Sequence, residues 1–379
     1  MSRLKKIYPL TSVRFFAASS AVFHHTAQAF LPAVSVMPTG HLLADFVFRF
    51  LRSFTFSVSF FFLLSGYVLS LVYLRDGGEV RKAKFFAARF ARLYPLYLAM
   101  LVLDSFSLLA AKIARYGLAD GVAKTAWIFE AHLMMLQAWY PTRLLRIDPP
   151  SWALCAEVFF YVFFPVLGVR LWRLRGRNLG MTALTVYVGG QLLVWWIRPH
   201  VNVQTVLFWP PLQLSTFALG ILLARWQTLQ QYKGNIATVP EWKANVVMGL
   251  SVGGVLLCVF LLPYFHVADP YSNGLLAPVL AGIIWSLSVV PTRLSRLLSA
   301  SWLVGLGNAS YALYLVHIPM LKLFQHFHCA TKTLYPVYWA ACIGLSLLSF
   351  HAFETPVRLW LLERFHSRSL GTAEAASIT

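Results

Sequence analysis

Acidic residues are scarce in this chain of 379 residues: 13 Asp and Glu stand against 32 Lys and Arg, and charged side chains together make up only 12%. A globular domain carries about a quarter. So few charges cannot coat a soluble surface, and no polar stretch is long enough to form a soluble domain. Cysteine is scarce too. The four thiols, Cys155, Cys258, Cys329 and Cys342, lie in or beside apolar stretches without CxxC spacing, which excludes a disulfide framework and a zinc knuckle. No metal site is expected. Internal repeats and low-complexity tracts are absent as well.

What the chain has instead is apolar length. It is 59% hydrophobic with a mean hydropathy of +0.66. Segments such as "FTFSVSFFFLLSGYVLSLVYL" (54–74) and "NVVMGLSVGGVLLCVFLLPYF" (245–265) approach the roughly 20 apolar residues that cross a hydrocarbon core. The fold class expected is all-α, a polytopic membrane helix bundle. The net charge of +19 raises the question of nucleic acid, but the basic residues occupy short loops between apolar segments, as topology signals do. The expected surroundings are membrane lipids, with no nucleic-acid partner. The start, "MSRLKKIYPLTSVRFF", has a basic n-region, but the apolar stretch behind it is interrupted by Arg14 and a His pair and has no clear cleavage site, so the first helix is expected to be retained.

Spans are expected near 10–31, 54–74, 93–113, 152–169, 181–197, 205–224, 245–265, 273–290, 308–327 and 334–357. With Arg3, Lys5 and Lys6 cytoplasmic, the loop bearing Arg75 to Arg92 is cytoplasmic as well. The cluster Arg170, Arg173, Arg175 and Arg177 falls inside only if "WIFEAHLMMLQAW" (127–139) does not cross. That segment therefore reads as a short outer re-entrant or interfacial helix. The expectation is one integral membrane domain over 1–366, both ends cytoplasmic, followed by a polar, unstructured tail from 367 to 379.

Ionisable residues inside spans cost roughly 2.5–3.5 kcal/mol each on insertion scales and so point to function. In "SAVFHHTAQAF" (20–30), His25 follows Arg14 by eleven residues. That step is about three turns plus roughly 20°, which puts both on one helix face about 16 Å apart, with His24 turned away. Arg14 alone would read as snorkelling. Arg89 and Arg92, at i and i+3 on a short amphipathic helix expected to end at Pro95, either attract anionic lipid or grip phosphates. Trp152 is explained by the interfacial aromatic belt. Glu157 lies more than a turn into its span and suits orienting a histidine, binding a hydroxyl or taking protons. His317 is either structural, bonded to a backbone carbonyl beside Pro319, or functional. Glu354 and Arg358 at i, i+4 read as an interfacial ion pair. Ser65 and Gly66 allow close helix packing.

Taken together, Arg14 and His25, "SFFFLLSGYVLS", "RFARLYPLY", "SWALCAEVFFY", "SYALYLVHIP" and "FETPVR" occur in an order that resembles the acyltransferase-3 family of integral membrane O-acyltransferases, from about residue 9 to 358. The resemblance implies a bundle in the cell (inner) membrane that moves an acyl group, commonly acetyl, from cytoplasmic acyl-CoA to a hydroxyl of a sugar or glycan at the outer face. It implies Arg14 and His25 as the essential pair, with the Arg of the third-span entrance and Trp152 and Glu157 in support. On this reading acyl-CoA is a co-substrate and no cofactor stays bound. Catalysis falls to His25, Arg14 and Glu157, the donor to Arg14, Arg89 and Arg92, and the acceptor to Trp152 and His317. The stretch "TSVRFFAASS" lacks the Asp and Gly often found around that Arg, and without an appended hydrolase-like domain the chain reads as a stand-alone enzyme. The rival is a proton-coupled transporter using Arg14, His25, Glu157 and His317 as a relay.

Overall fold

The computed structural model describes residues 7–31, 53–75, 80–234, 239–261 and 273–376, and side chains as far as 365. Among these residues there is no strand. Ten helices occupy the ten expected places: α1 (Tyr8–Phe30), α2 (Phe56–Tyr73), α3 (Lys82–Tyr116), α5 (Trp152–Trp172), α6 (Gly176–Ile197), α7 (Pro210–Tyr232), α8 (Glu241–Leu261), α9 (Ala277–Val289), α10 (Ser310–His326) and α11 (Tyr335–Ser349). A π-helical turn at Phe350–Glu354 carries α11 into α12 (Thr355–Ala376), whose last ten residues, 367–376, are helical where the sequence reads as an unstructured tail. Between α3 and α5 lies the eleventh candidate, α4 (Leu118–Leu133).

Seven of the helical segments described are long and apolar enough to cross a membrane, those of α2, α3, α5, α6, α7, α8 and the α11–α12 run. The other three expected spans fall short for visible reasons. α1 is interrupted by Arg14, His24 and His25; α9 has 13 residues and α10 has 17. The protein is a multi-pass membrane protein. Of α6 only Leu179 is buried, and Leu184, Leu192, Trp195 and Trp196 are exposed, as a lipid-facing helix requires.

Two expectations about local structure are corrected. α3 does not end at Pro95 but runs through it to Tyr116; neighbouring helices and local adjustment satisfy the freed backbone in membrane proteins. α4 starts nine residues before the segment singled out in the sequence. Gly117, at φ 80°, breaks α3 in a backbone region that L side chains avoid, and α4 folds back antiparallel along α3. A Cβ at Gly121 would strike the Ile113 backbone, and Tyr97 donates to the His132 carbonyl at 2.8 Å. α4 thus ends beside the middle of α3.

The core is aromatic and closely stacked: Phe160 stacks on Phe217 at 4.8 Å between ring centroids and meets Phe62 edge-on at 5.1 Å, and Phe85 stacks on Phe164 at 5.3 Å. α2 and α7 cross through a reciprocal notch. A Cβ on Gly66 would collide with the Phe217 carbonyl, and one on Gly220 with the Leu63 carbonyl, so small residues set the approach, as in other membrane helix pairs. α1 is held at its start by Ser12, which donates to the Leu298 carbonyl at 2.5 Å.

Gly220→Val is expected to wedge α2 from α7 and lower the thermal midpoint in detergent by the equivalent of about 1–3 kcal/mol. Gly249→Ala and Gly253→Ala, where a Cβ meets nothing within 4 Å, should leave it unchanged. Equal midpoints for all three variants would refute the notch.

Candidate active site

Near the basic end of the bundle, α1, α2, α3, α5 and α10 enclose a cavity of about 490 Å³ whose lining includes Arg14, Arg89, Arg92, Glu157, Tyr161 and Arg358. The arginines are individually placed. Arg92 pairs with buried Glu354 and lies 5.4 Å over the Tyr311 ring. Arg89 lies 5.8 Å and 6.0 Å over the rings of Tyr73 and Tyr161. Glu157 accepts from Tyr161 at 3.0 Å and feels the charges of Arg14, Arg89 and Arg92. Arg358 has no carboxylate partner among the described residues. Four guanidiniums therefore face the charge of Glu157 on the cavity wall and Glu354 behind it, and the surplus suits a ligand with more than one negative charge.

A second cavity, about 260 Å³, is lined by His24, His25, Thr55, Ser57, Pro149, Pro150, Trp152, Leu207, Phe208 and Ala21, together with Val58 and Tyr314. His25 is partly buried here and its partner is His317, with Nδ1 of the first 3.0 Å from Nε2 of the second and the rings stacked at 5.2 Å and 12°. The tautomers follow from the network. His317 Nδ1 lies 2.7 Å from the Tyr314 carbonyl oxygen, which only accepts, so Nδ1 carries the proton. Neutral His317 then offers Nε2 as an acceptor, and His25 Nδ1 must donate to it. That leaves Nε2 of His25 with the free lone pair, the atom a base needs. Tyr338 donates to the His317 carbonyl at 2.8 Å and tethers α10 to α11.

Several sequence expectations change in this geometry. Glu157 does not orient His25; its partners are Tyr161 and the arginines. His317, assigned to the acceptor, is bonded to His25 and, as the structural alternative had it, to a backbone carbonyl. Trp152 is not an interfacial-belt residue, since it is buried against Phe62 and Phe208 and lines the second cavity. Glu354 reaches Arg92 and not Arg358, because the π-helical turn at 350–354 reorients it away from the i, i+4 row. Arg14 and His25 do not share a cavity; Arg14 lines the first and His25 the second. The sequence also gave no sign of how Lys322, inside a span, is satisfied. It donates to both Asp104 oxygens at 2.8 Å and to the Ile147 carbonyl at 2.7 Å. The four cysteines are free, and no group of potential metal ligands occurs among the described residues.

The bundle thus sets an arginine-lined hollow beside a chamber lined by His24 and His25, an arrangement suited to group transfer within the membrane. The acyltransferase domain profile matches residues 7–353, and the chain belongs to the acyltransferase-3 family. It is 27% identical over 342 residues to the acyltransferase MdmB of Streptomyces mycarofaciens, covering 84% of this chain and 80% of that protein. To the O-acetyltransferase OatA of Staphylococcus aureus it is 25% identical over 323 residues, covering 79% of this chain and 52% of that protein. The chain thus spans about half the length of the staphylococcal relative. No solved structure matches. The protein is a membrane acyltransferase, and the transporter alternative falls. Its proposed relay is also split in the fold, Glu157 standing with the arginines and His25 with His317.

Glu354→Gln should leave Arg92 buried without a counter-charge and cost roughly 3–5 kcal/mol of stability. Combining it with Arg92→Met should recover part of that loss in a double-mutant cycle. Strict additivity of the two substitutions would contradict the pairing.

Proposed function

We propose that the protein transfers an acyl group, acetyl in the first instance, from acyl-CoA entering at the cytoplasmic, arginine-rich end to a hydroxyl of a sugar or glycan entering from the outer side. The observation that carries this reading is the direct abutment of the two cavities, one rich in guanidinium and the other holding an imidazole with a free lone pair. The positive-inside rule supports the orientation. Arg14, Arg89 and Arg92 hold the donor phosphates, and the pantetheine arm extends along α1 over the roughly 16 Å between Arg14 and His25. His25 Nε2 takes the proton of the acceptor hydroxyl as its oxygen attacks the thioester carbonyl. When the C–S bond breaks, the same proton passes from His25 to the departing thiolate, giving free CoA and the ester with no net proton change. His317 holds the His25 ring in the right tautomer throughout. Glu157 keeps the arginine cluster in place, and the aromatic wall of Trp152 and Phe208 offers a face for the acceptor.

In proteoliposomes, purified protein should release CoA from acetyl-CoA when a glycan acceptor is supplied. His25→Ala should lower that rate by at least about 10²–10⁴ while CoA still binds; normal turnover in this variant would remove His25 from the chemistry. His317→Ala should reduce kcat on the order of 10²–10⁴, leaving KM for acetyl-CoA nearly unchanged, because it disturbs the tautomer and not donor binding. A change confined to KM would instead return His317 to substrate contact.

A further inference from the structure

Among the described residues, only Val58 of α2 and Tyr314 of α10 line both cavities. Both are buried, with 8% and 7% of their surface exposed. Tyr314 is fixed at three points. Its hydroxyl donates to the Pro150 carbonyl at 2.8 Å, at the turn that leads into α5. Its own carbonyl accepts from His317 Nδ1 at 2.7 Å. Its ring lies 5.7 Å from the His317 ring. A side chain held at hydroxyl, ring and backbone cannot swing aside without disturbing the histidine pair.

On the acyl-CoA reading, which this inference rests on, the phosphates stay with the arginines and the thioester carbon has to reach the hydroxyl activated by His25. The acyl group then has to pass the wall that the two cavities share. We infer that Tyr314, together with Val58, sets the length of acyl chain the enzyme accepts, by closing the space beyond the thioester to all but short groups. The wall acts by volume. A methylene too many in a shaped apolar site typically changes recognition about tenfold or more. Trimming either side chain opens the septum, whereas removing only the phenolic hydroxyl leaves the ring in place.

The test uses the full chain in nanodiscs, titrated calorimetrically with free CoA and with the unreactive thioethers S-ethyl-, S-butyl- and S-hexyl-CoA, so that no acceptor is needed. Wild type should bind CoA and S-ethyl-CoA comparably and lose roughly tenfold or more toward S-hexyl-CoA. Tyr314→Val and Val58→Ala should each recover S-hexyl-CoA binding by about tenfold, while Tyr314→Phe should keep the wild-type ranking. Retained binding of free CoA reports that each variant is folded at the arginine cavity, and Val58→Ala decides the matter if Tyr314→Val is unfolded. Equal affinity of wild type for all three thioethers would overturn the inference and leave the donor reading intact. So would a ranking that Val58→Ala leaves unchanged. Failure of wild type to bind free CoA would instead remove the acyl-CoA reading, and the inference with it.

Discussion

Placing a guanidinium and an imidazole on one membrane helix is costly, and the structure is arranged around meeting that cost. α1 lies among α2, α10 and the Ser301–Asn308 helix, so that Arg14 opens on a cavity and His25 meets a second imidazole. The pairing of two histidines is informative. A carboxylate beside His25 would hold it as an imidazolium, whereas His317, itself committed to the Tyr314 carbonyl, orients the ring without adding an opposite charge. Glu157 and Glu354 stand with the arginines, and Asp104 is bound by Lys322.

The helices around this arrangement are fitted by two means that suit lipid, where water exclusion drives little helix association. One is close backbone approach at small residues, as at Gly66 and Gly220. The other is polar ties between elements, among them Ser12 to Leu298, Tyr311 to the Leu93 carbonyl, Tyr314 to Pro150, and Tyr338 to His317. The last three all involve α10. That helix, with 17 residues, is shorter than a full membrane crossing, yet it carries His317, Tyr314 and Lys322 and organises the centre of the molecule.

The limits of sequence reading fall at identifiable places. Helix positions were legible because apolar length is a strong local signal; α3 was cut short at Pro95 because proline normally ends a helix and the signal cannot tell when neighbours compensate. Glu354 and Arg358 looked like partners because i, i+4 residues meet on a regular helix. One π-helical turn undoes that geometry. His25 and His317 are 292 residues apart, and no local pattern announces such a contact. A serine, glycine or tyrosine that ties two distant helices looks in sequence like any other residue of its type, which is why Gly220 and Tyr314 went unmarked.

Composition and periodicity by themselves determined that this is a helical, multi-pass membrane protein, and singled out Arg14, His25, Glu157 and His317 as ionisable groups inside expected spans. Those conclusions depend on one-dimensional quantities: apolar run length, charge placement and helical spacing. Which of these groups touch, which nitrogen of His25 is free, and where two cavities share a wall were decided only by tertiary structure. Hydrogen-bond partnership and cavity shape depend on side chains brought together from distant segments, and packing, not spacing along the chain, selects them.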